Sequence, residues 1–470
     1  MTSITQNTVL KIIYKRPMIP CAILAFVISV VLAIKFSTIY IIFITLLFLA
    51  FCCIKYIKSR ELLAIVIVLL LVTIKSLISY GRADVINSYS GETLSAQGIV
   101  SSIDYYGDAN LYEIEIGKSS IKRLSGTKIA VIYNNRALSV GDTVQFYGEI
   151  VPLDSQNAQY YYSNGVYSAV DISELSVQKT QNNFYRICET IRTKIRSILF
   201  SNTSFDTATT LNALLIGDKS YLSEEYNDAV RKSGVSHMLV VSGMHMVIIC
   251  GTVLKILCFV FLNRRLASCF TFVIGLCFMA VCGFTPSVMR AGIMYMVMLF
   301  AAFLFKKSDS LNSLCFSVII LIYMNPFITQ NVGFLLSVFA TAGIIVLSDP
   351  LTDRLIKGIK SRLLKTVISS VVVTVSATVT TLPIMIFYFH GVSIVAVITN
   401  LLISFFINGA LLLSLLGVAV FYLPYGEILC KPILTASELA VRYSNEVIYL
   451  LGNFKYAYID LEPVFNFLKG

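Results

Sequence analysis

Long apolar runs leave this chain very few folds. They fall near 18 to 34, 38 to 54, 62 to 79, 237 to 262, 267 to 283, 287 to 305, 311 to 325, 332 to 348, 366 to 389 and 392 to 423. Each approaches or exceeds the roughly 20 residues that carry a helix across a ~30 Å hydrocarbon core. With 57% hydrophobic and only 13% charged residues, against about 25% charged in soluble domains, the chain is a polytopic α-helical membrane protein. The last run is long enough for two passes or a bent hairpin, so about 10–11 transmembrane or re-entrant helices are expected. The first run follows Lys11, Lys15 and Arg16 but has no small-residue cleavage site behind it, and reads as a retained helix.

Orientation follows from the basic residues of the short loops. Lys11, Lys15, Arg16, Lys55, Lys58, Arg60, Arg264, Arg265, Lys306, Lys307 and the group from Arg354 to Lys365 fall in one set of loops. The alternate loops hold little besides Lys35 and Arg290. This predicts a cytoplasmic amino terminus and an extracytoplasmic segment from 80 to about 235 in a multi-pass protein of the cytoplasmic (inner) membrane. The net charge of +11 is then mostly topology rather than a nucleic-acid footprint.

Within that segment, residues 92 to 178 alternate apolar and polar, as in Thr93–Val100, Leu111–Ile116, Lys128–Tyr133 and Thr143–Ile150. Period-two patterning with punctuating turns predicts five or six short strands closed into a small barrel. From Asn183 to Phe200 the period becomes helical, giving an amphipathic helix at the outer interface. Two further helices are expected at Asp206–Leu215 and Ser223–Lys232. The resulting organisation is three membrane helices (1–80), a β-domain (81–180), interfacial helices (181–235), a membrane core (236–425) and an amphipathic tail (426–470).

Polar residues interrupt the membrane part at four places, each patterned like a broken helix. The first runs from Leu214-Leu-Ile-Gly-Asp-Lys-Ser220 through Ser236-His237 to Ser242-Gly243-Met244-His245. The second is Gly283-Phe-Thr-Pro-Ser-Val-Met-Arg290, where Thr285 and Pro286 start a helix and Arg290 adds its charge to the positive end. That is a seat for an anion such as phosphate. The third links Asp309 and Asn312 to Asn325-Pro326 and Asn331-Val-Gly333, and the fourth links Thr380–Pro383 to His390 and Asn400. Unwound backbone at membrane depth is tolerated only beside a cavity or packed protein.

The plainer alternatives are an N-cap role for Asp309, a helix-to-helix hydrogen bond for Asn400, a snorkelling Arg290 and satisfied interfacial imidazoles at 237 and 245. No metal or cofactor is expected: eight residues on one helix put the two histidines about 80° apart. A hydrolase built on Ser242 and His245 lacks an orienting acid.

The segments resemble the ComEC-type competence channels. Ala213-Leu-Leu-Ile-Gly-Asp-Lys-Ser220 is similar to that family's ALLxGDxS, and Ser236-His-Met-Leu-Val-Val-Ser-Gly-Met-His245 to its SHLLAISGLH. Gly283–Arg290 is similar to GFSPSVxR, and Asn325-Pro326 with Val332–Phe334 and Leu336-Ser337 to NPxxxxDxGFQLS. The chain departs from the last pattern at Asn331 and Leu335. With histidines only at 237, 245 and 390, it cannot contain the metallo-β-lactamase-like carboxy-terminal domain of larger members.

The resemblance implies an OB-like β-domain and a non-enzymatic channel for single-stranded transforming DNA. Separate proteins would supply the nuclease, the DNA receptor and the cytoplasmic DNA-translocating ATPase, and a homodimer is left open. His237, Ser242, Gly243, His245, Pro286, Arg290 and Asn400 would line the path. Asp218, Asp309, Asn325 and Gly333 would serve structure or gating. The β-domain, with seven Lys/Arg against eleven Asp/Glu over 81–180, is too acidic to bind DNA strongly alone. The rival is a secondary transporter of a smaller anion with a midplane site.

Overall fold

The computed structural model describes residues 18–33, 59–106, 109–133, 138–153, 158–178, 183–239, 241–261 and 263–461. The expected run at 38 to 54 lies outside them, as do Lys11, Lys15, Arg16, Lys35, Lys55, Lys58 and the side chain of Arg60. The chain divides into two compact units, Met1–Thr190 with Leu311–Phe334, and Ile191–Ser310 with Leu335–Gly470.

In the first unit, α1 (Met18–Ala33) packs against α2 (Ser59–Asn87). Helix α2 continues beyond its expected apolar end and leads straight into the β-domain. Strands β1 (Thr93–Tyr106), β2 (Ala109–Ser119), β3 (Lys128–Ile132), β4 (Thr143–Val151) and β5 (Val166–Val177) form a closed barrel in the order β1-β2-β3-β5-β4. Only β3 and β5 pair in parallel, which makes the domain an OB-like barrel, as expected. Alternation along β4 sends Val144, Phe146, Gly148 and Ile150 inward. They meet Leu94, Val100, Ile114 and Val131 from the neighbouring strands in one core. Closing five strands demands sharp bending, and a bulge at Tyr147/Gly148 supplies it. A Cβ on Gly148 would lie 2.3 Å from the Asp171 carbonyl.

A short helix, α3 (Ala158–Ser163), joins β4 to β5 and packs on a 3₁₀ turn, Pro326–Gln330, from the distant part of the unit. Phe327 of that turn is ringed by Tyr80, Tyr162 and Tyr167 at centroid distances of 4.2, 5.2 and 5.8 Å.

The second unit begins within α4 (Phe184–Asn202) and continues through α5 (Phe205–Ile216), α6 (Glu224–Lys232), α7 (Gly243–Phe261), α8 (Arg264–Val281) and α9 (Pro286–Phe303). Ser223 caps α6 by accepting the Tyr226 amide. After α10 (Ser310–Met324) come α11 (Val332–Gly343), a π-helical stretch Ile344–Ser348, α12 (Asp349–Leu355), α13 (Arg362–Phe389), β6 (Gly391–Ser393), α14 (Ala396–Phe421), α15 (Gly426–Gly452) and β7 (Tyr458–Asp460).

Among the described residues, seven helices are long and apolar enough to cross a membrane: Val66–Asn87, Gly243–Phe261, Arg264–Val281, Pro286–Phe303, Val332–Leu355, Arg362–Phe389 and Ala396–Phe421. Two details differ from the sequence expectation. The run 392 to 423 is one unbroken helix, α14, rather than two passes. Likewise α13 continues through Pro383. Proline there removes one backbone donor, while the Thr380 and Thr381 hydroxyls, which bond carbonyls one turn back, keep their polarity inside the helix.

Candidate anion-binding site

The apolar run that opens at 237 does not start as a helix. Residues 236–239 form a turn in which His237 is exposed, and α7 begins only at Gly243. His245, in the first turn of α7, is fully buried, and its Nδ1 accepts the Ser242 backbone amide at 3.2 Å. A neutral imidazole that accepts at Nδ1 carries its proton on Nε2. That Nε2 is buried and without a partner among the described residues. The imidazole therefore serves the backbone of residue 242 and does not activate the Ser242 hydroxyl.

Helix α9 starts at Pro286 in the first helical position, as its sequence predicts. Arg290, one turn in, is 5% exposed, so it does not snorkel. Its Nη1 donates to Thr341 Oγ1 on α11, while its Nε is buried without a partner. The same two helices meet again where the Ser287 and Ser337 hydroxyls lie 3.2 Å apart.

On its other side the guanidinium lies against the start of α7. A Cβ on Gly243 would stand 2.6 Å from Arg290 Nη2 and 3.1 Å from the Ala291 Cβ. Glycine at 243 thus lets the guanidinium lie against the start of α7. A cation there meets the positive end of a 19-residue helix, whose first turn also carries His245. No acidic partner of Arg290 occurs among the ion pairs of the described residues. Such a cluster of donors attracts an anion.

The α5 turn closes on the same region. Gly217 ends α5 in the left-handed conformation and sits against Val241, while Leu215 and Cys282 bring α5 to the α8–α9 turn. Asp218, 8% exposed, accepts the Ser220 amide at 3.1 Å and the Ser220 hydroxyl at 2.7 Å, and pairs with Arg196 of α4. Burial raises its pKa, but the Ser220 hydrogen bonds and the Arg196 charge outweigh that and hold the carboxyl below its ordinary value. Burial pushes the neighbouring Lys219 ammonium down. The charge of Arg192 reaches the Cys282 thiol.

The remaining expected site residues lie elsewhere. Asn400, half-buried on α14, donates to Thr374 Oγ1 of α13 at 2.6 Å, a bond between helices. Asp309 immediately precedes α10. In the first unit, Asn325 accepts the Phe327 amide and donates to the carbonyls of Tyr162 and Ser163 at 3.1 and 2.7 Å. Gly333 is exposed in the first turn of α11, beside Asn331. Asn331 caps that helix through the Phe334 amide and donates to Ser163 Oγ at 2.9 Å. Thr341, which holds Arg290, has no sequence signal beyond lying one turn after Ser337. No group of three or more metal-ligating side chains occurs among the described residues.

A closed OB-like barrel, together with seven helices of membrane-crossing length and apolarity among the described residues, marks an integral membrane protein. The chain belongs to the competence protein family, which matches residues 214–468, more than half of its length. It is 27% identical over 266 residues to ComE operon protein 3 of Bacillus subtilis (strain 168), covering 55% of this chain and 33% of that protein, so it spans about a third of the relative's length. The ComEC-type resemblance is thereby borne out. No solved structure matches the chain.

Proposed function

We propose that this chain takes part in competence DNA uptake, as the channel that conducts single-stranded transforming DNA across the cytoplasmic membrane. The observation that carries this reading is Arg290: a buried guanidinium with an unpartnered Nε, pressed against the glycine that starts α7. A polyanion cannot enter hydrocarbon, and needs donors and cations that hold each phosphate weakly enough to release it. Arg290, the starts of α7 and α9, and the His245 Nε2–H supply such donors without a fixed counter-ion.

The path conducts and does not catalyse. A separate nuclease removes the other strand, a DNA receptor delivers the duplex, and a cytoplasmic translocating ATPase supplies force. The basic loops at Arg264-Arg265, Lys306-Lys307 and Arg354–Lys365 face the cytoplasm by the positive-inside rule, with the barrel extracytoplasmic.

The test is uptake of labelled DNA into the cytoplasm of a strain deleted for this chain. Loss of internalised strand, restored by the intact gene, is expected. Wild-type levels in the deletion would sink the channel reading, and saturable small-anion transport by the purified protein in liposomes would favour a transporter instead.

A further inference from the structure

The helix that hydropathy passes over is α15. It runs antiparallel to α14 along nearly its whole length. Gly417 faces Leu434, the Ser437 hydroxyl donates to the Ala410 carbonyl at 3.0 Å, and the Phe406 and Tyr443 rings lie 4.3 Å apart. Helix α14 is itself long and apolar enough to cross a membrane. At 1.5 Å per residue, the 27 residues of α15 extend about 40 Å, ample for a ~30 Å core.

Three sectors run down α15. Cys430, Leu434, Ser437, Val441, Ser444 and Ile448 are buried in the bundle. Leu439 and Leu450, 64% and 76% exposed, lie on an apolar sector. Lys431, Thr435, Glu438, Arg442 and Glu446 fall within an arc of roughly 80° between the other two. Near its middle, Glu438 pairs with Arg442 and accepts the Ser204 amide at 3.4 Å, from the turn between α4 and α5. Lys194, Ser197 and Ser201 are exposed on the lower part of α4.

Charged side chains at bilayer depth are costly against acyl chains and almost always face water or protein. The Arg442 side chain is 62% exposed although paired with Glu438. We propose that α15 crosses the bilayer beside α14 and turns its Lys431–Glu446 stripe toward a water-filled vestibule, into which the α4–α5 turn dips. The apolar sector at Leu439 and Leu450 meets lipid. The vestibule is a property of the chain alone, so its test is separate from that of DNA conduction.

The experiment is single-cysteine labelling of the full chain in membranes, with its native cysteines replaced by serine, using a membrane-impermeant thiol reagent. Thr435→Cys and Arg442→Cys are expected to react about tenfold or more faster than Leu439→Cys and Leu450→Cys, because thiols form their reactive anion only in water. Tyr425→Cys and Asn453→Cys are expected to label from opposite sides. Labelling of both ends from one side, or unreactive Thr435→Cys and Arg442→Cys because lipid or a second copy covers them, overturns the proposal.

Discussion

Replacing Arg290 with alanine is expected to lower the DNA internalised by competent cells about a hundredfold while leaving the protein folded and in the membrane. The size follows from losing charged hydrogen bonds of about 3 kcal/mol to a passing phosphate, where every 1.4 kcal/mol is roughly tenfold. Folding is spared because the guanidinium is buried with an unpartnered Nε and no acidic partner among the ion pairs of the described residues. Removing a buried charge that lacks a counter-ion relieves a desolvation cost. Arg290→Lys keeps the charge but not the planar fork that reaches Thr341 and Gly243 together, and is expected to fall between the two. Uptake of labelled DNA, normalised to protein in the membrane, checks both variants. An Arg290→Ala strain with wild-type uptake would contradict the role.

Gly243→Leu is expected to be nearly as severe for a different reason. Its Cβ would stand 2.6 Å from Arg290 Nη2, so the guanidinium must leave the start of α7. The nearest displaced atom is the far end of a flexible side chain, the Ala291 Cβ at 3.1 Å must give by a few tenths of an ångström, and leucine favours helix over glycine by about 1 kcal/mol. Stability therefore changes little while the anion seat is filled. Gly243→Ala, with a smaller intrusion at the same point, is expected to lose less uptake than leucine. Equal uptake for glycine, alanine and leucine, measured in the same assay at matched protein levels, would show that close approach at 243 is irrelevant.

What the sequence reveals and conceals here follows from the range of each interaction. Period-two alternation is a local property, so the barrel strands were legible, and Thr285-Pro286 marked the start of α9 within its own turn. The Ser242-Gly243 interruption also marked where α7 begins. The contact that gives the interruption its meaning joins Gly243 to Arg290, far apart in sequence, and no local pattern announces it. Thr341 is a single hydroxyl in an apolar helix, indistinguishable by sequence from Thr374, which binds Asn400.

Length alone also left choices open. The run that forms α14 exceeds one crossing without proving two, and Pro383 marks a helix break only when neighbouring groups fail to accommodate it. Helix α15 was legible only as part of an amphipathic tail, 426–470, of which it occupies Gly426–Gly452. Its charges lower mean hydropathy, and only its pairing with α14 reveals the depth at which they lie.

The most direct measurement is to trap the strand in transit. A photo-crosslinking residue at Met244, 39% exposed beside Gly243, is compared with one at Phe259, 84% exposed at the far end of the same helix. During uptake of labelled DNA, single strands are expected to form adducts at Met244 and not at Phe259. Active uptake with no adduct at Met244, or equal adducts at both positions, would contradict passage of the strand past the Gly243–Arg290 contact.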